Sequence, residues 1–369
     1  MDLENAEQVL EDVSVAVGLE EGPEGIRKIL RFVCRFEPVP LHALARAVMI
    51  PVPVASAARR ELEKRDICSR KSGIILTQKG RILLQSIGIN SSKLPELRLD
   101  YPVPESLGSV AKQFESIQER RPAPNFALDQ SHVDSETSAL RSAYLYEHDA
   151  LDGRDLIFIG DDDLTSLAVC LLSSEYDLNL GTITVIDVDT RILRFISTSA
   201  RSIGVDINTI ECDLRQGLPG SLVGCYDVFF TDPPYTINGL RLFASCGVQA
   251  LRPISGRPVF LSFGAKSPNE TWEAYKVISD NGLAVQEVLP AFNRYIGNQI
   301  HAGASNMIRC STTDTSKSDS PTEMEFIYKH PFRNKVITKL TEKLDYRISV
   351  SINKGIPKFI DWYKKYHKL

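Results

Sequence analysis

Short continuous apolar runs alternate with amphipathic segments between residue 126 and about residue 330. The apolar runs predict buried strands at 156–160, 182–189, 207–212, 226–235, 258–264 and 283–289. Segments with apolar positions at helical spacing lie between them, at 161–176, 190–204 and 271–281. Strands that are apolar on both faces and separated by helices are typical of a parallel sheet covered on both sides. The pattern therefore predicts a doubly wound α/β domain over residues 126–330.

A different pattern precedes this domain, at residues 24–88. Apolar residues recur at helical spacing in three short segments, and a hairpin turn at Lys71-Ser72-Gly73 precedes a last helix. Three helices and a hairpin are typical of a winged helix. The third helix is basic, as a DNA-reading helix is, through Arg59, Arg60, Lys64 and Arg65. Alternatively, the domain packs against another subunit or the α/β body. We expect this second role, in support of assembly or substrate access.

Proline marks the connection between the two patterns. Residues 91–125 contain five prolines and one amphipathic stretch at 109–120, which together predict a linker that holds a single helix. We therefore expect a winged-helix-like domain at 1–90, a proline-rich linker at 91–125, the α/β domain at 126–330 and a basic tail at 331–369.

Charge is unevenly distributed along the chain. Residues 1–23 carry 7 acids and no base, residues 24–88 carry 13 bases and 5 acids, residues 89–328 carry 19 bases and 32 acids, and residues 329–369 carry 11 bases and 3 acids. The central body thus has a net charge of −13, whereas the total is −4. An acidic body attracts cations and repels phosphates, which makes nucleic acid an unfavourable partner.

Composition excludes several protein classes. The 43% hydrophobic content is ordinary for a globular protein and excludes a collagen, a coiled-coil rod or a mostly disordered chain. No stretch approaches the roughly 20 apolar residues of a membrane span, and the acidic N-terminus does not resemble a targeting signal. We therefore expect a cytoplasmic protein. The seven cysteines form no CxxC pair, which disfavours a zinc site or a disulfide framework.

Acidic residues follow the first four predicted strands of the body. They are Asp161, Asp162 and Asp163 after Gly160, then Asp187 and Asp189, then Asp213, then Asp232 in the tetrapeptide Asp232-Pro233-Pro234-Tyr235. In a doubly wound sheet these strand ends share one crevice, where ligands bind. One acid at a helix start acts as a cap, but three in succession exceed that need. The sequence therefore predicts an acidic site at this edge.

The order of these acids matches the nucleoside-binding, methyltransferase-type Rossmann-like fold. Asp187 or Asp189 would hold ribose hydroxyls, and Asp213 would contact the adenine amino group. The DPPY tetrapeptide is typical of enzymes that alkylate an amino nitrogen, because the rigid Pro233 and Pro234 let Asp232 accept hydrogen bonds from the amine. Tyr235 would supply an aromatic face for the cationic substrate.

One departure from that fold changes the expected reaction. Phe158 stands where methyltransferases usually carry an acid, and Asp161–Asp163 replace small residues of a glycine-rich loop. An acid cluster would repel the carboxylate of S-adenosylmethionine, whereas decarboxylated S-adenosylmethionine has only an ammonium in its tail. The cluster therefore favours aminopropyl transfer over methyl transfer.

The segments GDDDLTSLA, DVDTRILRFI, DLRQGLP and FTDPPYT, with DQSHVDSETSALRSAYLYEHDALDG and NRYIGNQIHAGASNMIR, resemble the branched-chain polyamine synthases, the N4-bis(aminopropyl)spermidine synthase family. The resemblance covers roughly residues 25–310. It implies transfer of aminopropyl groups from decarboxylated S-adenosylmethionine to the secondary amine of spermidine. The products would be N4-aminopropylspermidine, N4-bis(aminopropyl)spermidine and methylthioadenosine. Neither a metal nor a prosthetic group is implied, and we expect a homo-oligomer, such as a dimer.

Within this interpretation the acids divide into roles. The proton acceptor is sought among Asp161, Asp162 and Asp232, with Asp161 placed first because it lies nearest the strand end. Asp163 is assigned to substrate binding or to a helix cap. Gly160, Asp187, Asp189 and Asp213 would bind the donor nucleoside. Glu136, Pro233, Pro234, Tyr235 and Tyr295 are further candidates for the substrate wall.

Two other functions stay open at this point. The first is an S-adenosylmethionine-dependent amino N-methyltransferase acting on nucleic acid, which DPPY and the basic winged helix favour. The second is a DNA-binding regulator that senses polyamines through a degenerate enzyme domain. The sequence leaves undecided which of the two aminopropylated products predominates.

Overall fold

The computed structural model describes residues 3–89, 97, 99, 103–264, 267–296 and 303–316. The predicted basic tail at 331–369 lies outside this part of the chain. The N-terminal module contains α1 (Leu3–Val17), α2 (Gly22–Phe36), α3 (Leu41–Val48), α4 (Val52–Lys64), β1 (Cys68–Arg70), β2 (Ile74–Leu76) and α5 (Gln78–Ser86).

The N-terminal module has the predicted order of three helices, a hairpin and a final helix, with α1 added in front. Its apolar positions at helical spacing, such as Ile26, Leu30 and Leu62, form a core that is separate from the core of the body. Thr77 ends the hairpin and caps α5, because its hydroxyl accepts the backbone N–H of Gly80 at 3.1 Å.

The body contains α6 (Glu105–Gln118), α7 (Ser135–Glu147), β3 (Leu156–Ile159), α8 (Thr165–Tyr176), β4 (Ile183–Asp187), α9 (Thr190–Ser202), β5 (Asn208–Glu211), β6 (Val228–Thr231), α10 (Ile237–Ala250), β7 (Pro258–Gly264), α11 (Pro268–Asp280), β8 (Leu283–Arg294) and β9 (Ala304–Thr312). One seven-stranded sheet has the order β5-β4-β3-β6-β7-β9-β8. The strands β5, β4, β3, β6 and β7 are parallel, with helices between them in the chain. The predicted doubly wound α/β fold is confirmed.

The order of strands reverses beside β3. The chain passes from β3 to β4 and β5 on one side, then crosses to β6 on the other side. Ile159 pairs with both Ile186 and Thr231, so the three strands end at the same level. Ligands of open α/β sheets bind in the crevice at such a switch point.

Two parts of the body differ from the prediction. The last predicted strand, 283–289, is a longer edge strand, β8, that runs antiparallel to a strand not predicted, β9. The predicted linker helix is α6, and its residues Leu107, Val110 and Phe114 are fully buried in the core of the body. Within the described part of 91–125, α6 therefore belongs to the α/β domain because it carries apolar residues on the buried face.

The N-terminal module is fixed to the body by buried ion pairs. Glu24 of α2 accepts from Arg154 at 2.6 Å and from Arg257 at 2.8 Å, and Arg27 pairs with Asp149 at 3.0 Å. Arg154 and Arg257 lie just before β3 and β7, at the amino ends of these parallel strands. The module therefore docks at the end of the sheet opposite to the crevice.

Several basic side chains of the N-terminal module contact the body or pair with acids of their own helix. On α2, Arg31 and Arg35 point to the body, since Arg35 pairs with Glu147 at 2.7 Å and Arg31 donates to the carbonyl of Tyr146 at 2.5 Å. On α4, three of the four bases noted in the sequence pair with acids of the same helix (Arg59 with Glu63, and Lys64 and Arg65 with Glu61). The contacts of Arg31 and Arg35 therefore assign part of the charge to docking, whereas the pairs of α4 lie within that helix and at its end.

Among the described helices, none is individually long and apolar enough to cross a membrane. Only α3 and α4 taken together reach that length and composition, and they are bent by 111° at their junction.

Candidate active site

A cavity with an empty volume of about 620 Å³ opens beyond the carboxyl ends of β3, β4, β5 and β6. It is lined by Leu128, Asp129, Gln130, Gly160, Asp162, Ile186, Asp187, Val188, Cys212, Asp213, Leu214, Arg215, Asp232, Pro234, Leu242 and Phe243. Five of these described residues are aspartates and one is a base, Arg215, which pairs with Asp213 at 2.5 Å. The wall therefore combines apolar surface with an excess of carboxylates. No group of His, Cys, Asp and Glu side chains among the described residues is arranged to hold a metal ion.

Asp161, placed first for the proton acceptor on sequence grounds, instead caps a helix. Its two carboxylate oxygens accept the backbone N–H groups of Thr165 at 2.7 Å and Ser166 at 3.1 Å, at the start of α8. The side chain is buried, and this burial raises its pKa to about 7. Since both oxygens accept from the backbone, the geometry disfavours Asp161 as the proton acceptor. Gly160, with φ +73°, leaves room beside the ring of Phe243.

Asp163, assigned to a cap or to substrate binding, is enclosed in the protein. Its carboxylate accepts the backbone N–H of Val133 at 2.7 Å and pairs with Arg141 at 2.7 Å. Burial alone would raise the pKa of Asp163, but the guanidinium groups of Arg141 and Arg121 lower it further than burial raises it. Asp163 is therefore an internal counter-ion for Arg141, and this geometry disfavours both a cap and direct substrate binding.

Of the three consecutive acids Asp161, Asp162 and Asp163, Asp162 is the one that lines the cavity. Its Oδ2 is buried and has no hydrogen-bond partner among the described residues. Burial raises the pKa of Asp162 well above its usual range, and the neighbouring carboxylates of Asp163, Asp187 and Asp232 raise it further. A carboxylate with a raised pKa and an unused oxygen is the group of this cluster best suited to accept a proton.

Asp232 of the DPPY tetrapeptide lies across the cavity from β4. Its Oδ2 accepts from Arg141 at 2.6 Å and from the hydroxyl of Tyr295 at 2.5 Å. Burial raises the pKa of Asp232 to about 7; the guanidinium of Arg141 opposes this rise and Asp163 adds to it. Asp232 is therefore harder to ionise than an ordinary aspartate and is held in place from two sides.

The aromatic and proline candidates lie at different positions near Asp232. Tyr295 follows β8, and its hydroxyl also contacts the hydroxyl of Tyr235 at 2.5 Å. Pro234 lines the cavity, while Pro233 is buried behind it. Glu136 lies half-buried in the first turn of α7 and is not among the residues that line the cavity. Tyr295 therefore contacts Asp232 directly and Tyr235 does so through Tyr295, but neither tyrosine lines the cavity, and Glu136 does not line it either.

On the side of β4 and β5, the two ribose candidates separate. Asp187 lines the cavity and accepts the backbone N–H groups of Asp189 at 2.8 Å and Asp161 at 3.2 Å. Asp189 is absent from the wall, caps α9, and pairs with Arg191 at 2.6 Å. Asp213 lines the cavity at the end of β5. Of the two alternatives, the geometry favours Asp187.

Arg141 is a central residue of the site that sequence reasoning missed. It lies in the middle of α7, is fully buried, and contacts residues at the ends of several strands. Its partners are Asp163, Thr165, Asp232, Ser262, Asn293 and Tyr295. The sequence did contain a hint of this role, since Arg141 is the single charge within the run SALRSAYLY of small and apolar residues. An arginine buried in such a helix is not stable without acidic partners, so its presence indicates that partners lie nearby.

Comparisons of the sequence with known proteins match one family model and several related proteins. Residues 109–350 match the family model described as the C-terminal domain of branched-chain polyamine synthase A. An uncharacterized protein of Methanocaldococcus jannaschii is 34% identical over 313 residues, covering 82% of this chain and 77% of that protein. The N(4)-bis(aminopropyl)spermidine synthase of Thermococcus kodakarensis is 29% identical over 259 residues, covering 67% and 71%.

A solved structure is similar in fold. The branched-chain polyamine synthase of Thermus thermophilus, crystallised in complex with N4-aminopropylspermidine and 5'-methylthioadenosine, matches 89% of this chain and 98% of its own, with a TM-score of 0.54 and 22% identity.

Proposed function

This chain belongs to the branched-chain polyamine synthase family, and on that premise we propose that it is an aminopropyltransferase. It moves aminopropyl groups from decarboxylated S-adenosylmethionine to the secondary amine of spermidine and releases methylthioadenosine. The products are N4-aminopropylspermidine and N4-bis(aminopropyl)spermidine. The observation that carries this proposal is the cavity at the β3–β6 switch point, whose wall has five aspartates and no unpaired base among its described residues.

The charge of the wall selects the donor. S-adenosylmethionine carries a carboxylate in its tail, and at 4 Å two carboxylates repel by about 4 kcal/mol at an effective dielectric constant of 20. Decarboxylated S-adenosylmethionine has an ammonium alone in that place, which the carboxylates of the wall attract. The same carboxylates attract the ammonium ends of a polyamine. Both co-substrates therefore match the wall.

The nucleoside of the donor lies along the ends of β4 and β5 in this proposal. Asp187 accepts hydrogen bonds from the ribose hydroxyls, and Asp213 accepts one from the adenine amino group. The adenine ring packs on apolar wall residues such as Ile186 and Leu214. Asp189 supports this region by capping α9 rather than by touching the ligand.

Asp162 acts as the proton acceptor. A secondary amine with a pKa near that of lysine, about 10.4, must lose a proton at a cost of roughly 4–5 kcal/mol at pH 7. The neutral nitrogen attacks the aminopropyl carbon bonded to the sulfonium, and the carbon–sulfur bond breaks with its electron pair going to sulfur. The leaving group is neutral methylthioadenosine. The ammonium proton of the substrate goes to solvent before the attack, and the N–H proton that remains passes to Asp162 once the new carbon–nitrogen bond has formed. Asp232 orients the amine.

The second transfer differs from the first in its proton balance. The nitrogen of N4-aminopropylspermidine is tertiary, so its attack produces a quaternary ammonium that has no proton to lose. The base is then needed only before the attack, to keep the tertiary amine neutral. The permanent cation that forms is stabilised by the carboxylates of the wall and by the aromatic face of Tyr235.

Mass spectrometry of the products tests the proposal. The chain is incubated with spermidine and either donor. We expect one and two aminopropyl additions with decarboxylated S-adenosylmethionine and essentially none with S-adenosylmethionine. Methylated products from S-adenosylmethionine would instead support an N-methyltransferase, and no product from either donor would contradict both functions. The homodimer, the cytoplasmic location and the domain boundaries outside the described residues stay predictions.

A further inference from the structure

We propose that Arg141 is a positioning residue, which fixes Asp163 and Asp232 across the gap between β3 and β6 and so aims Asp232 at the substrate amine. This inference rests on the proposed function, because it assigns to Arg141 a role in the same transfer. Arg141 lies in the segment DQSHVDSETSALRSAYLYEHDALDG, in which the sequence pointed to Glu136 alone as a site candidate.

The contacts of Arg141 carry the inference. Its Nη1 donates to Asp163 at 2.7 Å and its Nη2 donates to Asp232 at 2.6 Å, so that one guanidinium bridges the residues that follow two neighbouring strands. Its Nε donates to the side chain of Asn293 on β8 at 2.7 Å, and this third contact fixes the plane of the guanidinium group. The side chain is fully buried. Only a planar, multidentate donor can hold both carboxylates in this way, and a lysine ammonium cannot.

The bridge also divides one positive charge between two carboxylates. Asp163 has further support from the backbone N–H of Val133 and from the nearby Arg121. Asp232 accepts from the hydroxyl of Tyr295 and, when it is protonated, hydrogen-bonds to Asp163. Asp163 is therefore the carboxylate that stays ionised, while Asp232 exchanges its proton near neutral pH. Arg141 thus leaves Asp232 available to the amine and keeps Asp163 out of the reaction.

Several charged or titratable groups face Asp232 from the surrounding elements. They are Arg141 on α7, Asp162 and Asp163 after β3, Tyr295 after β8, and Tyr235 in the same tetrapeptide. Of these, Arg141 is the cation and lowers the pKa of Asp232, whereas burial and Asp163 raise it. Weakening the contact with Arg141 therefore raises the pKa of Asp232, so a higher pH is needed to ionise it.

The variant Arg141→Lys tests this role. It keeps a positive charge but loses the bridge. We expect turnover at pH 7 to fall about 100-fold, the loss typical of a reacting group misplaced by about 1 Å. The acidic limb of the pH profile should move to higher pH, so that part of the loss is recovered at pH 9. The KM for the donor should change little, because Asp187 and Asp213 are untouched.

Arg154→Lys is the matched control. Arg154 is also buried and also bridges two acids, Glu24 and Asp149, but at the opposite end of the sheet. Its replacement should lower the free energy of unfolding without moving the pH profile. An equal shift of the profile in Arg154→Lys, or no shift in Arg141→Lys, would overturn the proposal.

A milder variant keeps the inference testable if Arg141→Lys does not fold. Asn293→Ala removes the partner of Nε and leaves the guanidinium in place. It should shift the profile in the same direction by a smaller amount, and an unmoved profile in this folded variant would contradict the role of Arg141. Measurements on the wild-type chain distinguish a failure of the proposed function from a failure of the role of Arg141. Absence of aminopropyl product from the wild type contradicts the function, whereas product with unmoved profiles contradicts only the role of Arg141.

Discussion

Asp162 and Asp163 are adjacent in the chain, but only Asp163 is paired. The carboxylate of Asp163 is held by Arg141 and by a backbone N–H, whereas Oδ2 of Asp162 is buried without a partner at the cavity. Because successive side chains point in different directions, Asp163 is an internal counter-ion whereas Asp162, the residue before it, lines the cavity. Asp161, one residue earlier, caps α8. The three acids therefore have three different roles.

The first prediction concerns Asp162→Asn, which keeps the shape of the side chain and removes the proton acceptor. Turnover should fall by about 10²–10⁴, the range typical of a lost general base. The KM for decarboxylated S-adenosylmethionine should change far less, because Asp187 and Asp213 hold the nucleoside. Steady-state kinetics at several pH values measures both quantities.

Asp161→Asn is the control for this prediction. It makes the same chemical change one residue away, on a carboxylate that accepts backbone N–H groups at the start of α8. Loss of a helix cap typically costs about 0.5–2 kcal/mol of stability, so we expect a lower free energy of unfolding and a small effect on turnover. A larger loss of turnover in Asp161→Asn than in Asp162→Asn would restore the ranking that the sequence suggested.

The second prediction compares Asp187→Ala with Asp189→Ala. Asp187 lines the cavity, whereas Asp189 is turned to Arg191 and Gln130. Loss of hydrogen bonds to a charged group weakens binding by about 1.5–3 kcal/mol each, so the Kd for methylthioadenosine should rise at least tenfold in Asp187→Ala. Calorimetric titration of both variants measures it. Equal weakening in Asp189→Ala would mean that the ribose lies nearer α9 than proposed.

Much of the fold and of the cavity follows from local pattern. Continuous apolar strands predict a parallel sheet, and parallel strands bring the residues that follow them to one edge, so Gly160, Asp162, Asp187, Asp213 and Asp232 could be predicted as neighbours. The strand β9 escaped prediction because its buried positions include the polar residues Ser305 and Thr312, and its half-buried positions include Asn306 and Arg309, so the sequence has no continuous apolar run there. Such a strand depends on β7 and β8 for its pairing, and no local pattern reports this.

The individual roles of the acids could not be read from the chain. Which carboxylate caps a helix and which faces the cavity depends on side-chain direction, and for Asp163 it also depends on Arg141, which lies 22 residues away in the sequence. The sequence likewise showed that residues 24–88 are basic, but it could not decide between DNA reading and packing against the body. Its partners, such as Asp149 and Glu147, are distant in sequence and lie at the interface with the body.

The third prediction concerns Glu24→Gln. Glu24 accepts from Arg154 and Arg257, and these ions are buried between the module and the body. Removing one partner of a buried ion pair typically costs 3–5 kcal/mol, so urea denaturation should show a clearly lower free energy of unfolding. Turnover at a temperature where the variant is folded should be preserved, because the contact lies at the far end of the sheet.

The exposed neighbour provides the control for that experiment. Glu20→Gln makes the same change on a side chain at the surface, where single substitutions usually change stability by less than about 0.5 kcal/mol. If Glu24→Gln reduces turnover as strongly as it reduces stability, the module contributes to the active site in a way that its docking position does not explain.

The fourth prediction concerns stability in acid. Burial lowers the pKa of His148 to about 3, and the cations Arg309, Arg31 and Lys28 lower it as well. The ring packs edge-on against Tyr144 at 4.4 Å in its neutral form. In the unfolded chain the histidine pKa is about 6.5, so between pH 6.5 and about 3 the unfolded state binds a proton that the folded state does not. The free energy of unfolding therefore falls as the pH falls through this window.

His148→Gln isolates this contribution, because glutamine is neutral at every pH in the window. Relative to the wild type, the variant should gain free energy of unfolding between pH 7.5 and pH 5.0, by up to about 2 kcal/mol at 1.4 kcal/mol per pH unit below 6.5. Urea denaturation at the two pH values measures the difference. His42→Gln, on an exposed position of α3, should run parallel to the wild type. A parallel course for His148→Gln would mean that His148 already accepts its proton in the folded state, in which case its contact with Glu287 at 3.4 Å is an ion pair.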